Sequence, residues 1–132
     1  MKAESKFLTE LNLESIRGTN KFKLTQFLAY FSSEKNVTFT VSKDFITDFA
    51  SIPSAFRGII DTDDAVIKDA AVIHDMLYSR VGDTYKLTRK QCDEVLREAM
   101  LTLGSSKWKA SMVYFSVRSC GWMFYKKEKT ES

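Results

Sequence analysis

One histidine, one proline, two cysteines and five glycines are all that this 132-residue chain contains of those residue types. Two cysteines, Cys92 and Cys120, are too few for a disulfide scaffold and lack the spacing of a metal site. Charges interrupt every apolar stretch, so no segment reaches the length of a membrane span. The opening Met1-Lys2-Ala3-Glu4-Ser5 has no apolar run of signal-peptide length. Charge of one sign is also scarce as a block. The net charge of +3 comes from 20 basic and 17 acidic residues spread along the chain. The one small basic cluster, Lys126, Lys127 and Lys129, suits a solvated helix end, and without a concentrated basic face no nucleic-acid partner is expected. The expected compartment is a reducing one, a cytoplasm, and delivery inside a larger particle would look the same.

What is present is ordinary for a globular protein, with 44% apolar and 28% charged residues. The length fits a single domain over 1–132 with a real core. The first half reads as strands. Phe22, Leu24, Gln26, Leu28 and Tyr30 share one parity, and Val37, Phe39 and Val41 alternate with Thr38 and Thr40. Ser32 to Asn36 between them is a turn, and Phe7 to Ile16 is either a strand or a short helix. Thr47 to Phe56 is an apolar connecting loop holding the only proline, Pro53.

The second half reads as three helices. After N-cap candidates at Asp61 to Asp64, Ile67, Ala70, Ala71, His74, Leu77 and Tyr78 recur at helical spacing. Gly82-Asp83 breaks the chain. Thr88-Arg89-Lys90-Gln91 has the form of a capping box, and the helix that follows turns Cys92, Leu96, Ala99 and Leu103 inward until Gly104 stops it. A third helix, from about Ser106 to Lys126, aligns Trp108, Met112, Phe115 and Trp122, which are read as core. The fold class expected is α+β: a small antiparallel sheet from the N-terminal half packed on three C-terminal helices.

The residues that carry chemistry converge on His74. Residues four apart in a helix lie about 40° apart around its axis, so His74 and Tyr78 share one face. The short Gly82-to-Leu87 connection lets the next helix run back, which brings Asp93 to them. A carboxylate accepting from one imidazole nitrogen fixes the tautomer and raises the basicity of the other, the arrangement of a general base. Asp75, rotated by about 100°, leaves that stripe and could hold a hard cation, helped by Asp48, Ser51 or loop carbonyls.

His74-Asp75-Met76-Leu77-Tyr78 followed by Asp93 resembles the H-D-x-x-Y plus distant Asp pattern of phospholipase A2-like enzymes, viral members included. The resemblance implies a histidine base at His74, calcium at Asp75, orientation of the ring by Asp93, and Tyr78 bonded to Asp93. Two departures stand against it: no glycine occurs from Thr47 to Arg57, where those enzymes place a calcium loop, and Leu77 stands where disulfide-bonded members have cysteine. A longer run is similar to a phage and prophage family of unassigned function. It comprises Thr47-Asp48-Phe49-Ala50-Ser51-Ile52-Pro53, then Ala70-Ala71-Val72-Ile73-His74-Asp75 with Leu77-Tyr78, then Asp93 with Leu96-Arg97-Glu98-Ala99-Met100. Trp108, Tyr114, Val117-Arg118 and Gly121 belong to the same match.

Each of these residues also has a plainer role. Asp48 and Ser51 can cap a turn, Arg57 and Arg97 can hold a phosphate or pair with a carboxylate, and His74 can tie two helices together. Cys92, inward-facing beside a carboxylate, makes a poor nucleophile. Two function classes follow. One is a hydrolase of lipid or other ester or phosphoester substrates assisted by a divalent cation, calcium first. The other is a non-catalytic phage protein that binds a virion or host component or a small ligand, with the His-Asp-Tyr cluster structural.

Overall fold

The computed structural model describes residues 3–49 and 65–125. Six short strands precede three helices, so the α+β class holds, with two three-stranded antiparallel sheets where one was expected. The strands are β1 (Lys6–Phe7), β2 (Leu13–Ser15), β3 (Phe22–Leu24), β4 (Leu28–Ser32), β5 (Val37–Val41) and β6 (Ile46–Thr47). Their orders are β1-β4-β5 and β2-β3-β6. The open question over residues 7–16 is answered by two strands.

The run from Phe22 to Tyr30 splits because its middle is bonded elsewhere. The Thr25 amide donates to the Asn12 carbonyl at 3.0 Å, and the Gln26 side chain donates to the Glu10 carbonyl at 2.8 Å. The chain therefore leaves one sheet at Leu24 and enters the other at Leu28. Beyond β4 the expected turn forms. Ser32 Oγ accepts from the Lys35 amide at 3.1 Å, and Asn36 takes a left-handed φ of 54°, which asparagine tolerates better than most residues. Alternation in β5 then buries Phe39 and Val41 while exposing Thr38 and Thr40.

Helix α1 (Ala65–Tyr78) runs through the centre of the core. Ile67, Ala70, Ala71, Val72, Ile73, Met76, Leu77 and Tyr78 are all buried, and the helix packs on β5, β6 and the next helix. It ends in a 3-10 segment, Arg80–Tyr85. There Gly82 is required by proximity. A Cβ on it would stand 2.6 Å from the Leu77 Cα and 2.8 Å from the Leu77 and Met76 carbonyl oxygens.

Helix α2 (Arg89–Thr102) opens with the expected capping box: the Gln91 amide donates to Thr88 Oγ1 at 3.1 Å, and the Thr88 amide to Gln91 Oε1 at 2.8 Å. Cys92, Leu96 and Ala99 are buried as expected, and Leu103 packs at the core's edge. Gly104, at φ 100°, lies past the helix end.

Helix α3 (Lys107–Cys120) starts where Ser106 Oγ accepts from the Lys109 amide at 3.1 Å. A 3-10 turn, Gly121–Met123, follows it. The last residue of the expected helix, Lys126, lies outside the described residues. The expectation for its aromatic positions is overturned: Trp108, Phe115 and Trp122 are 70%, 62% and 65% exposed, and Met112 is 38% exposed. The helix has two apolar faces. Trp108, Met112 and Phe115 lie within about 60° of one another, and about 180° away lie Ala110, Val113, Tyr114 and Val117, which are the buried set. No helix among the described residues is long and apolar enough to cross a membrane.

Gly82→Ala is expected to lower the unfolding free energy by about 1–3 kcal/mol, the range for forcing a methyl into packed structure. A urea or thermal melt reads this directly, and an unchanged midpoint would mean that the end of α1 can shift aside.

Candidate functional site

The last two turns of α1 lie against the first turn of α2, which places His74, Tyr78 and Asp93 together. His74 Nε2 lies 2.7 Å from Asp93 Oδ1, and the Tyr78 hydroxyl donates to the same oxygen at 2.5 Å. Arg118, in the last turn of α3, donates through Nη1 to Asp93 Oδ2 at 2.9 Å. Arg89, four residues before Asp93 on α2, brings its Nη1 to 3.6 Å of the same Oδ2. The side chains of both His74 and Asp93 are fully buried.

Arg89 also ties the helices to each other. It donates to the Val117 and Arg118 carbonyls at 2.9 and 3.0 Å, which satisfies acceptors in the last turn of α3. The same guanidinium approaches the Tyr78 hydroxyl at 3.4 Å. The rings of His74 and Tyr78 lie 4.1 Å apart, and Tyr125 meets Tyr78 edge-on at 5.1 Å. Gly121 permits this closeness, because a Cβ on it would stand 2.6 Å from the Tyr78 hydroxyl.

Burial alone pushes the Asp93 carboxyl upward. The hydrogen bond from His74, with those from Tyr78 and Arg118, outweighs burial and holds it below its ordinary value. An ionised carboxylate only accepts, so the hydrogen between it and His74 belongs to Nε2. Burial, then the bond to Asp93 and its charge, push the Tyr78 hydroxyl up, so it remains a donor.

Asp75 and Asp48 are half-buried, on α1 and after β6. Among the described residues no group of three or more His, Cys, Asp or Glu side chains is placed to hold a metal ion. Calcium wants six or more oxygens, so Asp75 and Asp48 alone do not fit it. Arg97 is exposed and sits over the Tyr114 ring at 5.5 Å. Ser51 and Arg57 lie outside the described residues.

Sequence reasoning missed Arg89, Arg118 and Glu98. Arg89 stands at i and Asp93 at i+4, a spacing that could have paired them. Glu98 is buried, accepting from the Tyr30 hydroxyl and, at 3.0 Å, from the Glu34 amide. Nothing in its spacing announces this.

Residues 22–117 match the family described as a protein of unknown function, DUF1353, and the chain belongs to it. The match takes in His74, Tyr78, Arg89 and Asp93 and stops one residue short of Arg118. No curated protein and no solved structure matches the chain. Family membership supplies neither activity nor ligand.

Asp93→Asn is expected to cost about 3 kcal/mol near neutral pH, as for breaking a buried pair. The folded pKa lies below the unfolded one, so this contribution is complete above about pH 4 and fades as pH falls toward the folded value. Unfolding curves at stepped pH should therefore converge for the two proteins in acid, and a constant gap would show that charge is irrelevant. Gly121→Ala should cost about 1–3 kcal/mol, and combining it with Tyr78→Phe should cost less than the two single effects added. A double-mutant cycle without that coupling would refute the contact.

Proposed function

We propose that this protein works by binding rather than by catalysis, and that His74, Tyr78 and Asp93 form its internal clasp. The observation that supports this reading is the burial of the pair together with the saturation of its carboxylate. One oxygen accepts from His74 and Tyr78, and the other from Arg118 with Arg89 nearby. A general base needs a face that its substrate or water can reach, whereas a buried carboxylate needs donors on all sides. This cluster has the second character. On the phage or prophage resemblance, what the protein binds is a virion or host component.

One observation favours a second reading. The short bond from Nε2 to Asp93, with Tyr78 on the same oxygen, holds the ring in the tautomer that a hydrolase base uses. In that reading His74 deprotonates water, Asp93 orients it, and the substrate is an ester or phosphoester. The cation that the resemblance implies would lie at Asp75, with Asp48.

Turnover of a fluorogenic ester and of a phospholipid, with and without calcium, separates the two. Binding without catalysis predicts no turnover above buffer. It also predicts no rise in melting temperature with calcium, and a loss of roughly 1–3 kcal/mol in His74→Gln for the broken buried bond. Turnover that His74→Gln abolishes while leaving the protein folded would establish the hydrolase instead. So would a calcium-dependent rise in melting temperature that Asp75→Asn removes.

A further inference from the structure

Among the described residues the two sheets end in four edge strands, β1, β5, β2 and β6. Three of them are guarded by shortness or charge. β1 and β6 are two residues long, and β2 is three with Glu14 at its centre. Short length and charge are the usual devices that keep a sheet edge from pairing with another chain. β5 has neither. It runs for five residues, Val37-Thr38-Phe39-Thr40-Val41, without a charge, and every one of them is a good strand former.

What stands on this edge instead is Tyr85. In an antiparallel strand alternate residues turn their N–H and C=O groups away from the bonded neighbour. Thr40 is such a residue. Its amide donates to the Tyr85 hydroxyl at 2.9 Å, and that hydroxyl donates back to the Thr40 carbonyl at 3.4 Å. By the same alternation Thr38, two residues earlier, turns its own pair of groups outward. The Tyr85 ring meets Phe39 edge-on at 4.9 Å, and the residue is the last of the 3-10 segment that links α1 to α2. One phenol thus occupies both edge groups of Thr40.

We propose that β5 is a self-complementary edge for a second copy of this chain, and that the Tyr85 hydroxyl is the plug that keeps it closed. The strand is a palindrome, reading the same in both directions. Laid antiparallel on a second β5 about Phe39, it sets Val37 of each copy opposite Val41 of the other, and Thr38 opposite Thr40. The outward groups fit this register. Each Thr38–Thr40 pair exchanges both of its backbone hydrogen bonds, while Phe39 faces Phe39 in the unbonded position between them. Threonine opposite threonine is itself a favourable cross-strand pair. The two sheets become one, in the order β1-β4-β5-β5-β4-β1, and the two-fold pairing closes on itself as a dimer. An unrelated strand would find the same backbone groups without this matching of side chains. While Tyr85 holds Thr40, half of those groups are taken and the chain stays single. This inference stands on the sheet edge alone and does not depend on what the clasp does.

The test is sedimentation velocity of the full chain over roughly a hundredfold range of concentration, because association follows mass action. Tyr85→Phe keeps the ring on Phe39 and removes only the oxygen. The expected result is a monomer for the wild-type chain and a dimer for Tyr85→Phe, with self-association tightened about tenfold or more. Thr38 and Thr40 are exposed, so their side chains can be changed without touching the core. Added to Tyr85→Phe, the pair Thr38→Lys and Thr40→Lys opposes like charges and should dissociate the dimer. The pair Thr38→Glu and Thr40→Lys opposes unlike charges in the same register and should preserve it. Hydrogen exchange gives a second reading: the Thr40 amide should be protected in the wild-type chain and lose that protection in dilute Tyr85→Phe. A dimeric wild-type chain, a monomeric Tyr85→Phe, or a dimer that treats the two threonine pairs alike would overturn the proposal. So would a freely exchanging Thr40 amide in the wild-type chain, a result that does not depend on any variant folding.

Discussion

A carboxylate with no exposure to water is the constraint from which the helical half of this protein follows. Removing Asp93 from solvent costs several kcal/mol unless donors replace the water it loses. Those donors are His74 and Tyr78 from α1 and Arg118 from α3, and the Arg89 guanidinium of α2 itself adds its charge at 3.6 Å. Each can reach the carboxylate only if its helix stands at one height and one rotation. A charge of this kind adds little net stability over a well-packed apolar core. We suggest that here it selects one arrangement of three helices from the many that apolar contacts alone would allow.

Arg89 closes the circuit. Its guanidinium bonds the Val117 and Arg118 carbonyls while lying near both Asp93 and the Tyr78 hydroxyl. The start of α2 is thereby fastened to the end of α3. Farther along α2, Glu98 performs the corresponding task toward the sheet, taking the Tyr30 hydroxyl and the Glu34 amide, and Lys35 pairs with Glu94 at 2.7 Å. The helix is thus pinned through polar groups to the other helices near its start, at Arg89 and Asp93, and to β4 and its turn from Glu94 to Glu98.

This division explains which parts were readable beforehand. The pairing of β4 with β5, the capping box at Thr88 and the meeting of His74, Tyr78 and Asp93 all depend on local spacing plus one short connection. Such features are written in a few consecutive residues. Arg118 and Glu98 find their partners 25 and 68 positions away, and a charged residue in a helix reads as solvated until its neighbour is known. The split of the first long strand run had the same cause, since Thr25 and Gln26 are held by Asn12 and Glu10. Trp108, Met112 and Phe115 misled for a different reason. Both faces of α3 are apolar, so periodicity identifies a helix but does not say which face turns inward.

What decides between the two faces is the clasp. Val113 and Val117 could be exchanged for Trp108 and Phe115 in the core on grounds of hydrophobicity alone, and the larger rings would bury more area. Arg118 cannot follow that rotation, because turning α3 by half a revolution would carry its guanidinium away from Asp93 and leave a buried charge short of a donor. Gly121 points the same way: it lies where Tyr78 leaves no room for a side chain. The polar contact thus outweighs the apolar preference, and the consequence is an outward stripe of tryptophan and phenylalanine held at a fixed orientation. The surface face of α3 and the buried carboxylate are in this sense one feature, the first being the residue of satisfying the second.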